Sequence, residues 1–142
     1  MQKILIKIKK LYGEVQIPKH GNEHAAGFDL YSCEDKELQP GEHAMIATGI
    51  ALEIPDGKVM FIWDRSGIGS KGIHRFAGVI DSDYRGEIKI ILCNHTKNNF
   101  KINKGDRIAQ AVIQDYYYAE FLEVDELSES SRGEKGFGSS GK

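Results

Sequence analysis

Alternation of apolar and polar residues recurs in short runs along this chain, and it restricts the possible folds more than any other feature of the sequence. A period of two is typical of half-buried β-strands, whose successive side chains point to opposite faces of a sheet. The runs with this pattern are "ILIKIKK", "GFDLYS", "IALEI", "VMFIW", "EIKIIL", "RIAQAVI" and the aromatic "YYYAEFLEV". Each of them predicts a strand of a few residues.

Turn-forming residues separate these runs, at Pro40-Gly41, Pro55-Asp56-Gly57, Arg85-Gly86 and Lys104-Gly105-Asp106. Many short strands at near-regular spacing predict an all-β fold, a jelly-roll-like β-barrel or sandwich. Only "SGIGSKGI", after Trp63, has room for a short helix, and its glycines disfavour a longer one. With 142 residues the chain has the size of one domain, to which we assign residues 1–127. The polar remainder, 128–142, predicts a flexible C-terminal arm.

The bulk composition argues against two classes of partner. Basic residues number 19 against 21 acidic ones, a net charge of −2, so the basic excess typical of nucleic-acid binders is missing. No apolar run reaches the roughly 18 residues of a membrane span, and the N-terminus lacks the continuous apolar block of a signal peptide. Cys33 and Cys93 show no close pairing pattern and are interpreted as buried free thiols. These features predict a cytoplasmic protein with no nucleic-acid or membrane partner.

The stretch "DRSGIGSKG", from Asp64 to Gly72, follows directly after an apolar strand. Its small residues let backbone N–H groups approach an anion, its serine hydroxyls add donors, and Arg65 can bind a phosphate with two N–H groups at once. The spacing differs from that of the Walker phosphate-binding sequence. The stretch therefore predicts either a phosphate contact or an ordinary polar loop.

The stretch "GVIDSDYRGE" is more specific. Val79 and Ile80 predict a buried strand, and Asp81, Asp83 and Tyr84 follow it before a turn. A carboxylate at the edge of a rigid hairpin is well placed to orient or deprotonate a water molecule. The alternative is an Asx-type turn, in which the side chain caps the hairpin, and it explains one aspartate better than two.

Two further polar residues stand in apolar surroundings. Asp29 lies between Phe28 and Leu30 and predicts either an exposed strand residue or a contact to a hydrated metal ion. Gln110 lies in an otherwise apolar strand, where a buried amide needs hydrogen-bond partners. The histidines are scattered over loops and do not predict a zinc site; they are His20, His24, His43, His74 and His95.

Together these stretches resemble the ordered motifs of the homotrimeric dUTPase family, the deoxyuridine triphosphate nucleotidohydrolases. The matching motifs are "AAGFDLYS", "DRSGIGSKG", "AGVIDSDYRGEIKI", "GDRIAQAVI" and "RGEKGFGSSG", in the family's order from residue 25 to residue 141. The resemblance implies a jelly roll assembled as a homotrimer with three shared active sites. It also implies Mg²⁺-dependent cleavage of dUTP to dUMP and pyrophosphate by attack of water on the α-phosphorus. That reaction limits uracil incorporation into DNA and supplies dUMP for thymidylate synthesis.

The resemblance assigns the base and the sugar to the third motif. Asp81 would hold or deprotonate the attacking water. The ring of Tyr84 would pack on the deoxyribose and leave no room for a 2′-hydroxyl. The backbone of Gly78, Val79 and Ile80 would bind uracil and reject the amino group of cytosine and the methyl group of thymine.

The phosphates are assigned to the other motifs. Arg65, Ser66 and Gly67 match the phosphate-contacting residues of the second motif, and Gln110 matches the phosphate-side glutamine of the fourth. Asp29 matches the aspartate of the first motif, which touches the metal through water.

The resemblance also gives the C-terminal tail a role. In this family the tail folds over bound nucleotide. By position, the contacts would be Arg132 on phosphate, Phe137 over uracil, and Gly138, Ser139 and Ser140 around the γ-phosphate.

This chain departs from the family pattern at the second motif. Asp64 stands where the family more often has a proline before its arginine, so that a carboxylate either lies beside the phosphate arginine or pairs with a lysine. The stretch from Arg65 to Asp81 is one residue shorter than usual. This leaves Lys71 and His74 without an assigned counterpart.

Two other functions fit parts of the sequence. The dCTP deaminases share the fold but use a glutamate ten residues after the aspartate that matches Asp81, and this chain has Ile91 there. A non-catalytic jelly-roll module, such as a capsid subunit or a regulatory protein, would not need Asp81, Tyr84, Arg65 and a complete tail. The residues therefore favour an active dUTP diphosphatase.

Overall fold

Strands dominate the part of the chain that the structure, a computed structural model, describes, which is residues 3–136. They are β1 Lys7–Lys10, β2 Lys19–His20, β3 Phe28–Tyr31, β4 Lys36–Leu38, β5 His43–Glu53, β6 Lys58–Trp63, β7 Ile73–Phe76, β8 Val79–Ile80, β9 Glu87–Asn94, β10 Phe100–Ile102 and β11 Arg107–Asp115. The helix in this range, α1, is Ser66–Gly69 and makes one turn, as short as its glycines predict. The all-β prediction is confirmed.

The strands pair antiparallel and form two larger sheets and one small sheet. One larger sheet has four strands in the order β1-β5-β9-β7, and the other has five in the order β2-β3-β11-β6-β8. Strands β4 and β10 pair with each other. Side chains from both larger sheets enter the same buried cluster, so the fold is a jelly-roll-like sandwich. Residues 3–136 include no helix with the length and apolar character needed to cross a bilayer.

The core is built from alternate strand positions, as the period of two requires. In β9, Ile88, Ile90 and Leu92 are each 1% exposed, whereas Lys89 between them faces solvent. Leu30 of β3 is fully buried in the same cluster. Burying one side chain of this size contributes roughly 1.5–3 kcal/mol, so these positions hold the two sheets together.

Two expectations about strands and burial are wrong. The aromatic run "YYYAEFLEV" forms no strand: β11 ends at Asp115, and residues 116–136 are irregular and, except for Gly136, exposed. A strand needs a partner, and although the backbone N–H of Tyr116 donates to the carbonyl oxygen of Gly57 at 3.3 Å, no described strand pairs with this run. Val79 lies in a strand as expected, but it is 62% exposed and Ile80 is only half-buried. The reason is that β8 is the edge strand of its sheet.

Both cysteines are free, as the sequence predicts. Cys93 is buried in β9, whereas Cys33 is only half-buried, which corrects the expectation that both are buried. Burial, with Glu87 and Glu34 nearby, raises the pKa of the Cys33 thiol. A raised pKa favours the protonated thiol, which is a weaker nucleophile than the thiolate.

The chain crosses from one larger sheet to the other at Ala77 and Gly78, between β7 and β8. Both residues have positive φ, 57° at Ala77 and 115° at Gly78. The backbone N–H of Ile62 donates to the carbonyl oxygen of Gly78 at 2.8 Å. A Cβ on Gly78 would lie 3.0 Å from the carbonyl oxygen of Ile62. The crossing therefore requires glycine both for its φ and for the close approach of β6.

We expect Gly78→Ala to destabilise the fold more than the matched control, Gly57→Ala. Gly57 also has positive φ, 75°, but nothing lies within 4 Å of its Cβ position. The control therefore measures the backbone penalty alone, about 1 kcal/mol. Gly78→Ala adds the contact with Ile62 and a φ of 115° that lies further from the left-handed helical region, for a total of roughly 2–3 kcal/mol. Urea denaturation at one protein concentration compares the two, and equal losses would mean that the Ile62 contact is harmless.

Candidate active site

The second motif leaves strand β6 as a tight loop. Trp63 is the last residue of the strand, Asp64 follows, and Arg65 precedes the helical turn with extended backbone, φ −84° and ψ 132°. Ser66 and Gly67 are exposed. These small residues leave the backbone of the loop accessible to a ligand.

Strand pairing brings the first, second and fourth motifs together. β11 lies between β3 and β6, and Gln110 is in register with Asp29 on one side and with Trp63 on the other. Arg65 Nε donates to Asp29 Oδ1 at 2.7 Å, and Arg107 Nη1 donates to Asp29 Oδ2 at 3.4 Å. The Asp29 side chain is only 16% exposed. Asp29 is therefore an ion-paired residue of the site and not an exposed strand residue.

The two arginines keep donors free for an anion. A guanidinium has five N–H groups, and Arg65 uses Nε on Asp29 and Nη1 on the carbonyl oxygen of Arg107, at 3.4 Å. Arg65 and Arg107 line a cleft of about 230 Å³ whose other walls are mostly apolar. Asp106 also borders it, but its carboxylate accepts the backbone N–H of Asn103 at 2.8 Å. The cleft thus offers mainly hydrogen-bond donors to an anion.

Gln110 supports the loop from the neighbouring strand. Its Nε2 donates to the carbonyl oxygen of Asp64 at 2.8 Å, which gives the amide the partner that its position demands. Gly27 permits the arrangement, because a Cβ there would lie 2.7 Å from Gln110 Oε1. Gln110 holds the loop that carries Arg65, and its contact with phosphate stays a prediction.

Asp64 pairs with a histidine, so the expectation of a lysine partner is wrong. Its Oδ2 lies 2.5 Å from Nδ1 of His74, and its Oδ1 accepts the backbone N–H of Arg75 at 2.8 Å. Both carboxylate oxygens are therefore engaged by β7. The carboxylate that contacts the Arg65 side chain is that of Asp29.

The third motif forms an open hairpin, because its two arms belong to different sheets. β8 pairs with β6, and β9 pairs with β5 and β7. The pairing of β7 with β9 stops at Phe76 and Ile91, which leaves unpaired backbone edges on both arms beyond that point. The arms border a cavity of about 190 Å³, lined by residues 77–80 on one side and 89–91 on the other. Unpaired N–H and C=O groups beside a cavity suit recognition of a flat ring with its own donors and acceptors.

The carboxylate of Asp81 is exposed at the turn of this hairpin and accepts no hydrogen bond from residues 3–136. The turn is closed by the backbone N–H of Tyr84, which donates to the carbonyl oxygen of Asp81 at 3.2 Å. Arg85 Nη1 adds a bond to the carbonyl oxygen of Ser82 at 2.6 Å. The Asp81 side chain therefore does not cap the hairpin as an Asx turn would. Its carboxylate remains free to bind a water molecule.

The ring of Tyr84 lies against the backbone of the hairpin. A Cβ on Gly86 would be 2.4 Å from the Tyr84 hydroxyl oxygen, so the ring occupies space that glycine leaves open. The hydroxyl donates to the carbonyl oxygen of Glu87 at 2.9 Å. The ring is thereby fixed as a flat wall beside the turn.

Within one chain the two halves of this site lie at opposite ends of β6. In the antiparallel pair of β6 and β8, Met60 is opposite Ile80. The step from Ile80 to Asp81 therefore moves back along β6, away from Arg65. By this register Asp81 and Arg65 are separated by about six residues of β6, or roughly 20 Å at about 3.3 Å per residue.

Of the tail motif the structure describes only the beginning. Arg132 Nε donates to the carbonyl oxygen of Lys135 at 2.7 Å within an exposed turn. The predicted contact residues Phe137, Gly138, Ser139 and Ser140 lie outside the described residues.

Three residues that the structure brings to the site have no role in the prediction from the sequence. Arg107 shares Asp29 with Arg65, while His74 and Arg75 hold Asp64. A charged residue at the start of an apolar strand, in the same motif as Gln110, is the sequence signal for Arg107. His74 and Arg75 have no such signal, because their contact joins strands of different sheets.

Comparison with known proteins identifies the family. The family model described as dUTPase matches residues 13–141. The deoxyuridine 5′-triphosphate nucleotidohydrolase of Nautilia profundicola is 51% identical over 140 residues, covering 96% of this chain and 99% of that protein. The enzyme of the same name from Clostridium tetani is 45% identical over 145 residues and covers 100% of both.

Solved structures give the same result. A mutant dUTPase of Staphylococcus bacteriophage 80alpha, with dUpNHpp bound, has a TM-score of 0.92 at 32% identity and covers 99% of this chain and 100% of that chain. A mutant dUTPase from phage phi11 of S. aureus, which coordinates a structural Mg(II) ion, has a TM-score of 0.82 at 27% identity and covers 89% and 100%. Motifs, fold and relatives agree, and this chain belongs to the dUTPase family.

Proposed function

We propose that this protein is a dUTP diphosphatase, which hydrolyses dUTP to dUMP and pyrophosphate. The observation that carries the proposal is the open hairpin, with unpaired backbone edges at a cavity and the free carboxylate of Asp81 at its turn. The activity limits uracil in DNA and supplies dUMP for thymidylate synthesis. We place it in the cytoplasm, a reducing compartment in which the free thiols of Cys33 and Cys93 persist.

The hairpin binds the nucleoside. Backbone groups of Gly78, Val79 and Ile80 pair with the edge of uracil. Cytosine has an amino donor where uracil has a carbonyl acceptor, so it would leave a backbone donor unpaired at the cavity. The ring of Tyr84 packs on the deoxyribose and fills the space that a 2′-hydroxyl would need.

The phosphates bind in the arginine-lined cleft. Arg65 donates its free N–H groups, and Ser66 and Gly67 add hydroxyl and backbone donors from the exposed loop. Gln110 holds this loop through its bond to the carbonyl oxygen of Asp64, and we place its amide on the phosphate side of the site. Fixed donors of this kind stabilise the charge that spreads over the phosphate oxygens in the transition state.

Asp81 acts on the attacking water. Its carboxylate orients the water and accepts a proton as the water oxygen attacks the α-phosphorus, while pyrophosphate leaves from the opposite side. No described residue donates a hydrogen bond to this carboxylate, so its oxygens are free to accept from water.

The donor set fits Mg²⁺ that is held mainly by the substrate. Residues 3–136 contain no group of three or more His, Cys, Asp or Glu side chains arranged around a metal, and Mg²⁺ usually binds through phosphates, waters and one or two carboxylates. Each Asp29 oxygen accepts from one arginine and keeps a second lone pair for a metal-bound water. When bound, the ion neutralises phosphate charge and makes the phosphorus more electrophilic.

Two observations support a homotrimer with shared sites. The register along β6 places Asp81 roughly 20 Å from Arg65 in one chain, whereas their proposed roles need both side chains at neighbouring phosphate groups of one dUTP. In addition, the segment after Asp115 exposes several apolar side chains, among them Tyr117 and Phe121 at 98% and 95%. Such surface is typical of an interface. We therefore place the hairpin of one subunit beside the arginine-lined cleft of another.

The arm completes the site. We divide the chain into a domain of residues 1–127 and an arm of residues 128–142. Arg132 binds phosphate, Phe137 covers uracil, and Gly138, Ser139 and Ser140 wrap the γ-phosphate. Closure of this kind removes water from the reacting phosphates.

Substrate choice tests the function directly. With Mg²⁺ present, we expect release of pyrophosphate from dUTP and, at the same concentration, at least about a hundredfold less from dCTP, dTTP or UTP. Ammonia release from dCTP would instead identify a deaminase, although Ile91 provides no general base for that reaction. No turnover of dUTP would overturn the proposal.

Complementation tests the shared site. Asp81→Asn and Arg65→Ala should each be nearly inactive alone, since each removes one half of the chemistry. In randomly mixed trimers of the two variants, about a quarter of the sites should combine an intact Arg65 with an intact Asp81 from another chain. Activity should therefore return on co-refolding, with sedimentation confirming the trimer. Lack of recovery in mixed trimers would place both residues in one chain's site.

Removal of the tail tests its role in closure. A chain that ends at Ser131 should keep its oligomeric state and its melting temperature, because residues 132–136 make no strand pairing and the cut leaves the apolar side chains of Tyr117 and Phe121 in place. Its turnover of dUTP should fall by roughly a hundredfold, since water is no longer excluded from the site and the phosphates of the substrate are no longer held in position. Steady-state kinetics and sedimentation measure both, and full activity of the shortened chain would leave the tail without a catalytic role.

A further inference from the structure

Asp64 connects the phosphate loop to two neighbouring strands. Its carbonyl oxygen accepts from Gln110 Nε2 on β11, at 2.8 Å. Its carboxylate accepts the backbone N–H of Arg75 at 2.8 Å and contacts Nδ1 of His74 at 2.5 Å, both on β7. A carboxylate is an acceptor only, so Nδ1 of His74 carries the hydrogen and donates it. The residue directly before Arg65 is therefore held from both sides.

The contacts of the Asp64 carboxylate link β6 to β7, two strands that share no backbone pairing. β6 and β11 belong to the five-stranded sheet, whereas β7 is the edge strand of the four-stranded sheet. The Asp64 carboxylate thus connects the two sheets at the point where β6 ends and the phosphate loop begins. The His74 ring is in turn packed edge-on against Phe76, with centroids 5.9 Å apart, which limits the movement of its Nδ1.

We propose that Asp64 and His74 form a positioning pair that fixes the direction in which Arg65 leaves β6 and so orients its guanidinium toward the phosphates. The pair acts through the backbone, because the Arg65 side chain itself contacts Asp29 and the Arg107 carbonyl oxygen. This inference rests on the function proposed above, and His74 is a positioning residue that touches no substrate. Guanidinium forks bind phosphate only in a narrow range of geometry, so a shifted backbone weakens phosphate binding first.

Two substitutions of His74 separate the hydrogen bond from the ring. His74→Phe keeps an aromatic ring against Phe76 but removes the donor to Asp64. His74→Asn removes the ring but places its side-chain Nδ2 donor where Nδ1 of His74 stands. The His74 side chain is half exposed, so neither substitution opens a cavity in the core.

The measurement compares ligands with and without phosphates. For His74→Phe we expect the Kd of dUpNHpp and the KM for dUTP to rise about fivefold, the effect of losing a hydrogen bond to a partly exposed carboxylate. The inhibition constant of deoxyuridine, which has no phosphate, should not change. For His74→Asn all three constants should stay within about twofold of the wild type.

The outcomes separate cleanly. Weak phosphate binding in His74→Phe with recovery in His74→Asn supports the positioning pair. Equal behaviour of the two variants, the reverse order, or an equal loss of deoxyuridine binding overturns it, because each points to ring packing or to no role at all. Failure of the wild-type protein to hydrolyse dUTP would instead count against the proposed function, so the two failures are distinguishable.

Discussion

Strand β6 is the element on which both halves of the site depend. The loop that carries Arg65 begins where β6 ends, at Trp63. Nearer its start, at Met60 and Phe61, β6 pairs with β8, and Asp81 follows β8 directly. Antiparallel pairing fixes these directions, since a step forward on β8 is a step back on β6. The strand therefore keeps the nucleoside hairpin and the phosphate cleft apart in a single chain. Under the proposed function, assembly is then a condition for catalysis and not merely a means of stabilising the fold.

The sequence predicted the parts of this structure that depend on local pattern. The strands around Phe28, Phe61 and Ile90 follow from alternation, and the motif residues fall together because β11 brings Asp29 and Gln110 into register. The aromatic run after Asp115 has the same local pattern but no partner in the described residues, so no strand forms. Alternation indicates that a segment can be a strand, and it does not indicate which other segment it pairs with.

Contacts between the two sheets were not predictable from the sequence for a different reason. The pair of Asp64 and His74, and the gap between β8 and β9, both depend on how two layers lie on each other. The alternation of apolar and polar residues within either segment does not indicate how the two sheets pack on each other. The exposed Val79 is a case in point, because its apolar side chain predicts burial while the end of its sheet leaves it at an edge. Edge positions are set by topology, and topology involves residues far apart in sequence.

Asp29 explains how the phosphate cleft can exist before substrate arrives. Two guanidinium groups at one cleft repel each other. Each also belongs to a long, flexible side chain that loses conformational entropy when it is ordered. The carboxylate between them reduces that repulsion, and its Oδ1 accepts a hydrogen bond from Arg65 Nε at 2.7 Å. The side chains of Asp29 and Arg65 are largely shielded from water at this contact. The same carboxylate lowers the attraction for an incoming triphosphate, which carries about four negative charges. Fixed geometry is thus gained at the expense of charge, and in the proposed reaction the missing positive charge comes from the metal and from Arg132 of the arm.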